Sequence, residues 1–382
     1  MPNVVLLCGA GASRADSNLS PSHAQPPLDR GFFRECQTLQ ILPPAFDSVR
    51  AYIDDEFGYD ILDPEVDSFE FAMSILYADM FTSQHSRDSY KRFVFLVELL
   101  SNRLGQSTIP YGQTSTLESV IRLCFKRSQR QPSKEPNETS QRFNVITFNY
   151  DIRIELALDA IVAGNSRPSG FYFRFPDCYR IPIQYEYFLG SVSSPVNPFR
   201  SSSQSSRRVQ RALASGSAID VLKLHGSLNW DSGHTSYPPA INSILKKSRR
   251  ISVTNATELD SLPYTLTREN RRVNGFPVIV PPVYGKSSMI QNDIQDLWTR
   301  AEDKLTQADE LVVFGYSCPY SDQEARNLIR RCTAARSASG MRKLANVFVI
   351  DPDPKIAAVV SDLTSCESVI WYKDVDLFLN PP

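Results

Sequence analysis

Several short stretches carry side chains able to bind or transform a ligand. Gly9-Ala10-Gly11-Ala12-Ser13 follows an apolar run directly. Glycines there permit a tight turn and let backbone N–H groups approach a phosphate, and a helix starting behind them favours an anion. The spacing is G-x-G-x-S and lacks the last glycine of the dinucleotide fingerprint G-x-G-x-x-G, so a turn without a ligand explains it as well. Thr147-Phe148-Asn149-Tyr150-Asp151 sets two short polar side chains two positions apart. An Asn amide donates and accepts at once; the structural alternative is a helix cap by Asn149 or Asp151. Leu222 to Trp230 (LKLHGSLNW) places His225 beside Gly226. Histidine titrates near neutrality and can take a proton, although a lone histidine also serves as a satisfied structural residue.

Further along, Leu311 to Asp322 (LVVFGYSCPYSD) leads from an apolar run into Gly315-Tyr316-Ser317. Ser321 and Glu324 then have the spacing of a capping box. Val347 to Asp353 (VFVIDPD) ends in acidic residues, and an acid such as Asp351 at that place can accept bonds from ribose hydroxyls. Tyr284-Gly285-Lys286, after Pro281-Pro282, reads as a rigid loop that assigns no chemistry to Lys286.

The elements that must position these groups are short β-branched runs. They span Val4 to Cys8, Phe143 to Phe148, Val221 to Leu224, Val278 to Val280, Leu311 to Phe314 and Val347 to Ile350, with a last core strand near Ile370. Continuous apolar runs predict strands buried on both faces, hence an α/β fold: a Rossmann-like parallel sheet with helices on both faces. In such sheets ligands bind outside the carboxyl ends of the strands, where the Gly, Asn, Asp, His and Ser residues fall. Asp67 to Met80, Ser89 to Leu104 and Thr116 to Phe125 have helical spacing and predict a helical insertion over about 36–142. Lys126 to Arg142 reads as a surface loop. Residues 191–217, rich in Ser and Arg, and 232–276 are expected to be mobile loops, the latter holding the short basic run Lys246 to Arg250. The whole of 1–382 is expected to form a single domain.

Composition narrows the function. The chain has 382 residues, 42% hydrophobic and 22% charged, with a net charge of −1. That balance gives no global field for nucleic acid or an anionic membrane, so direct nucleic-acid binding is not expected. No apolar run reaches the length of a membrane span, and the start MPNVVLLCGAGAS has no basic segment before its apolar stretch. A cytoplasmic protein is expected. The seven cysteines include no C-x-x-C pair and the four histidines no i, i+4 pair. No zinc ribbon and no bound metal are therefore expected.

Taken in order, G-A-G-A-S, T-F-N-Y-D, K-L-H-G-S, V-F-G-Y-S and I-D-P-D resemble the nucleotide-binding core of the sirtuin family. More narrowly they resemble the sirtuin-like NAD hydrolases of bacterial anti-phage defence. Protein-deacylating sirtuins read closer to G-A-G-x-S, T-Q-N-I-D, H-G and G-T-S. The matched motifs run from Val4 to Asp353, with 36–142, 163–218 and 232–276 outside the match. The resemblance implies that Gly9, Ala10, Gly11, Ala12 and Ser13 hold the pyrophosphate of NAD. It implies that Asn149 orients the attacking water under the nicotinamide ribose and that Asp151 contacts the carboxamide. His225 matches the catalytic histidine, and Gly315, Ser317 and Asp351 would line the adenosine half. Phe32 and Phe33 fall where sirtuins carry a flexible loop over nicotinamide, but PPLDRGFF departs from that pattern.

The implied reaction is hydrolysis of NAD, as substrate, to nicotinamide and ADP-ribose, serving to deplete NAD on phage infection. The missing C-x-x-C pairs separate the chain from the zinc-bearing deacylases. Deacylation or ADP-ribosyl transfer stays open as an alternative, as does a catalytically silent NAD-sensing module. About a dozen residues follow Ile370. Control is therefore expected from assembly, as a homo-oligomer or with a separately encoded partner such as a ring-shaped DNA-translocating ATPase, with 67–125 as the assembly surface.

Overall fold

The computed structural model describes residues 2–16, 25–82, 86–105, 115–129, 142–164, 166–175, 177–179, 218–231, 252–253, 277–280, 292–338, 344–366 and 368–381. The expected mobile loops at 191–217 and 232–276, apart from 252–253, lie outside the described residues, as do the basic run and Lys286. Among the described residues the strands are β1 (Val4–Cys8), β2 (Phe143–Thr147), β3 (Val221–Lys223), β4 (Gly226–Asp231), β5 (Ser252–Val253), β6 (Pro277–Ile279), β7 (Glu310–Phe314), β8 (Asn346–Ile350) and β9 (Val369–Tyr372). The helices are α1 (Ala10–Asp16), α2 (Phe32–Thr38), α3 (Ala45–Phe57), α4 (Phe69–Thr82), α5 (Ser86–Gly105), α6 (Thr116–Ser128), α7 (Arg153–Ala163), α8 (Asn292–Gln307), α9 (Gln323–Ala338), α10 (Lys355–Thr364) and α11 (Val375–Leu379).

Six parallel strands form one sheet in the order β3-β2-β1-β7-β8-β9. Every residue of β1 and β2 is buried, as strands covered on both faces require. Helix α6 packs on β1, β2 and α7, while α8 packs on β3 and α9, and α10 on β8 and β9. This is the Rossmann-like α/β arrangement that the apolar runs predict. The chain first winds outward from β1 to β3, then returns and winds the other way from β7 to β9. Strand order therefore reverses between β1 and β7, the place where open doubly wound sheets leave a binding crevice.

Val278 to Val280, expected in the parallel sheet, belongs elsewhere. β6 pairs antiparallel with β4, and β4 with β5, in a second sheet of three strands. The reversal occurs at Leu224-His225, where Gly226 takes φ 79° and sends the chain back. A three-residue apolar run has no periodicity to separate the two kinds of strand. Helices between β1 and β2 occupy the region read as an insertion. Their phase follows burial: Leu117, Val120, Ile121, Cys124 and Phe125 of α6 are all buried. Ser115 caps α6 by accepting the Glu118 N–H at 3.2 Å, and Asp16, closing α1, accepts the Leu117 N–H at 2.9 Å. Phe32 and Phe33 begin α2 with their rings packed on Phe69 and Phe46, so they belong to the core.

The turns after β1 and β7 interlock through their backbones. The Gly11 N–H donates to the Gly315 carbonyl at 2.9 Å, and the Gly9 N–H to the Phe314 carbonyl at 3.1 Å. Gly315 sits at φ 57°, and a Cβ there would stand 2.1 Å from the Ala12 nitrogen. A Cβ on Gly9 would stand 2.6 Å from the Gly315 oxygen. Both contacts are with backbone, which has nowhere to move.

Behind β3 a fully buried ion pair ties the sheet to α7. Lys223 Nζ lies 3.0 Å from Glu155 Oε1, which also accepts the Tyr179 hydroxyl at 2.8 Å. Lys223 donates to the Asp151 carbonyl as well.

Gly315→Ala is expected to lower stability by about 3 kcal/mol or more, because left-handed strain and a backbone clash add. Lys223→Met is expected to cost about 3–5 kcal/mol by leaving Glu155 buried and uncompensated, with much of it recovered in Lys223→Met/Glu155→Met. Denaturant unfolding of the variants checks both.

Candidate functional site

Every residue of the site hangs on a loop at the carboxyl edge of the parallel sheet. Asn149, two residues past β2, is 5% exposed. Its Nδ2 donates to the Gly9 carbonyl at 2.9 Å and to Ser13 Oγ at 2.8 Å. A carbonyl can only accept, so the contact with Gly9 fixes which end of the amide faces the β1–α1 turn. With both amide hydrogens spent there, Oδ1 is the end of Asn149 suited to accept a hydrogen bond from water or a sugar hydroxyl. The capping alternative for Asn149 thus gives way to a tie between two strand ends. Asp151 forms a local turn, Oδ1 accepting the Arg153 N–H at 3.0 Å. It is 8% exposed, and its backbone carbonyl accepts from Lys223 of β3.

His225 occupies the β3–β4 turn, with its ring centroid 5.0 Å from that of Phe148. Its Nε2 lies 3.4 Å from Asp322 Oδ2, both groups almost wholly buried. The same carboxylate oxygen accepts the Tyr316 hydroxyl at 2.8 Å. Tyr316 in turn stacks on Phe148, with centroids 4.3 Å apart. Residues after β2, β3 and β7 are thereby locked into one aromatic and polar cluster. Burial, reinforced by Asp322, pushes the Tyr316 hydroxyl well above its ordinary value; burial, Glu70 and Asp322 do the same for Tyr150. Both remain neutral donors, Tyr150 to the Val280 carbonyl at 3.0 Å.

Asp322 is the residue the sequence reading missed. Ser321 and Glu324 were expected to cap α9 as a pair; the structure gives the cap to Asp322, whose Oδ1 accepts the Ala325 N–H at 3.3 Å. The usable signal was an acid directly before a helix that follows a strand-end Gly-x-Ser turn. Its second oxygen faces His225, a contact between residues nearly a hundred positions apart that spacing does not encode.

The glycine turn behaves differently from the expectation drawn for a phosphate loop. The N–H groups of Gly9, Gly11 and Ala12 go to the carbonyls of Phe314, Gly315 and Gly9. These glycines therefore serve the approach of the two turns, while Ala10 opens α1 exposed and Ser13 holds Asn149. Gly315 belongs to the interlock. Ser317 is exposed and lines a cleft of about 580 Å³ together with Asp29, Arg30, Phe71, Tyr320 and Arg326. Neither Asn149 nor His225 is among the residues lining that cleft. Of the four acids that line it, Asp29 and Asp67 are committed to helix starts, Asp29 accepting the Glu70 N–H at 2.7 Å and Asp67 the Phe33 N–H at 3.0 Å. Asp351, half-buried after β8, accepts the Asp353 N–H at 2.9 Å, and burial raises its carboxyl above the usual range.

Cysteine chemistry is disfavoured at this edge. Burial pushes the Cys318 thiol up to about 12 and Cys8 well above its ordinary value, so neither supplies a thiolate near neutrality. Among the described residues no group of three or more His, Cys, Asp and Glu side chains gathers as a metal site, and no helix is long and apolar enough to cross a membrane.

No protein-family model matches the sequence, and no curated protein matches it. Among solved structures, one from work on the mechanism and regulation of Sir2 enzymes is similar at 13% identity, over 98% of this chain and 88% of that chain, with a TM-score of 0.40. At that level the likeness carries nothing about chemistry, which rests on the geometry of the strand ends themselves.

Proposed function

We propose that the protein hydrolyses NAD to nicotinamide and ADP-ribose at the carboxyl edge of its sheet. The observation that carries this reading is Asn149, pinned by both amide hydrogens to the β1–α1 turn at the strand-order reversal, with His225 held at the next strand end. The resemblance of the five ordered motifs supports the same substrate.

The chemistry asks for what these residues can supply. The bond that breaks joins ribose C1′ to a cationic pyridinium nitrogen, so nicotinamide leaves neutral and needs no acid. The ribose carbon becomes oxocarbenium-like, and water adds to it with loss of one proton. Asn149 Oδ1 accepts a hydrogen bond from that water and holds its oxygen lone pair toward the sugar. His225 takes the proton, either from the water or from a ribose hydroxyl. Ser317 and Asp351 would bind the adenosine half, and Asp151 the carboxamide. The buried aromatic cluster around His225 keeps other nucleophiles out. We further propose that the cell uses this activity to deplete NAD in antiviral defence, and that assembly of copies, or a separately encoded sensor, holds it silent until needed.

Purified protein incubated with NAD alone should release nicotinamide and ADP-ribose in equal amounts, more steeply than linearly in protein concentration if assembly activates it. Asn149→Ala and His225→Ala should each lower the rate at least about a hundredfold while the protein still folds, its melting temperature lowered by a few degrees as about 1–3 kcal/mol of lost contacts requires. Undiminished turnover in both variants sinks the assignment. A requirement for an acylated peptide would point to deacylation instead, and NAD binding without turnover under any condition to a silent sensor.

A further inference from the structure

We infer that Asp322 is the positioning carboxylate for His225, holding its imidazole in place and balancing the charge the ring takes up on accepting a proton. The inference rests on the reading of His225 as the base in NAD cleavage. Three observations converge on it. Asp322 Oδ2 lies 3.4 Å from His225 Nε2, ion-pair distance once the ring is protonated. Oδ1 is occupied by the Ala325 N–H at the start of α9, so the carboxylate is anchored by one oxygen and aimed by the other. The aimed oxygen also accepts the Tyr316 hydroxyl at 2.8 Å, and burial keeps Tyr316 a donor.

The mounting is rigid. Asp322 and His225 are 2% and 4% exposed, so solvent screens their interaction little. A buried carboxylate is costly unless its oxygens are bonded, and here the helix start and a tyrosine supply those bonds. Arg326, one turn into α9, donates to the Cys318 carbonyl at 2.6 Å and fixes the loop that carries Tyr316 and Asp322. The titratable and charged groups acting on the pair and its neighbours include Tyr316 and Cys318 on the β7–α9 turn, Arg326 on α9, Tyr150 after β2, Glu70 on α4, Asp29 before α2 and Asp351 after β8. The tyrosines and the thiol are held neutral near pH 7, and the Asp322 carboxylate stands at ion-pair distance from the ring.

The sign follows directly. A carboxylate beside imidazole favours the protonated ring, so its removal must weaken proton binding by His225. Removing the Tyr316 hydroxyl leaves the carboxylate charge less shared and must strengthen it.

The test is a pH titration of the imidazole resonances in the full-length, histidine-labelled protein, with His225 assigned by the resonance lost in His225→Gln. Asp322→Asn keeps the helix cap and the shape while removing the charge. It should lower the His225 midpoint by about one pH unit, a tenfold loss of proton affinity. Tyr316→Phe should move it upward by about a few tenths of a unit. An unchanged midpoint in Asp322→Asn overturns the proposal. Should that variant fail to fold, an unchanged or lowered midpoint in Tyr316→Phe overturns it alone. In the wild type and variants, the acidic limb of kcat/KM for NAD should move with the midpoint. A wild-type protein that never cleaves NAD would refute the hydrolase reading and leave the titration to decide the pair.

Discussion

The structure depends on a contact between two pieces of backbone. Where β1 and β7 end side by side, the turn behind each must bend away at once, and the Gly11 N–H meets the Gly315 carbonyl at 2.9 Å. No side chain fits between them, since a Cβ on either Gly9 or Gly315 would overlap main-chain atoms. That contact lies at the reversal of strand order, so it closes the floor of the crevice where the two halves of the sheet part. Asn149 is bonded to the same turn through the Gly9 carbonyl, and Tyr316 follows Gly315 directly. The position of both chemical centres is therefore a consequence of how closely two glycine turns can pack.

Around that floor the protein uses polar ties in place of flexible loops. Parallel ladder bonds continue past the strand ends: Phe148 N–H to the Cys8 carbonyl at 3.1 Å, Leu224 N–H to the Thr147 carbonyl at 3.0 Å, Gly315 N–H to the Ile350 carbonyl at 3.0 Å. The residues that follow each strand are thus still held by the sheet. Lys223 and Glu155 then pin the β3 end from beneath, where a charged pair contributes position more than net stability. Site residues on loops tied to the sheet in this way keep their geometry better than residues on free loops.

Much of the sheet was legible because its strands are buried on both faces and read as unbroken apolar runs. β1, β2, β7 and β8 fall within a residue of the expected limits. β6 was not legible, because Val278 to Val280 is too short to reveal whether its partner runs parallel or antiparallel. Among chemical residues, Gly9, Asn149 and His225 could be singled out by type and by position after a strand. Asp322 could not, since what distinguishes it is a contact with His225, and its local context reads as a helix cap, which it also is. Phe32 and Phe33 follow from local sequence: PPLDRGFF departs from the loop pattern of the resembling family, and the two adjacent phenylalanines pack their rings on Phe69 and Phe46 as core.

A reaction that proceeds through an oxocarbenium-like centre makes unusual demands, and the proposed site meets them by restraint. Its leaving group is already cationic, so a strong acid would be of no use and a strong nucleophile would trap the sugar on the protein. The described strand ends keep thiolate and phenolate nucleophiles away. The thiols nearest the crevice are held protonated by burial, and Tyr150 and Tyr316 are held neutral. What remains is an amide oxygen that can orient water and an imidazole whose charge has a fixed counter-ion. In a water-poor surrounding lined by Phe148 and Trp298, a fixed carboxylate acts on the imidazole more strongly than it would in solution. Selectivity for water over other nucleophiles then follows from burial and position, which the two glycine turns set.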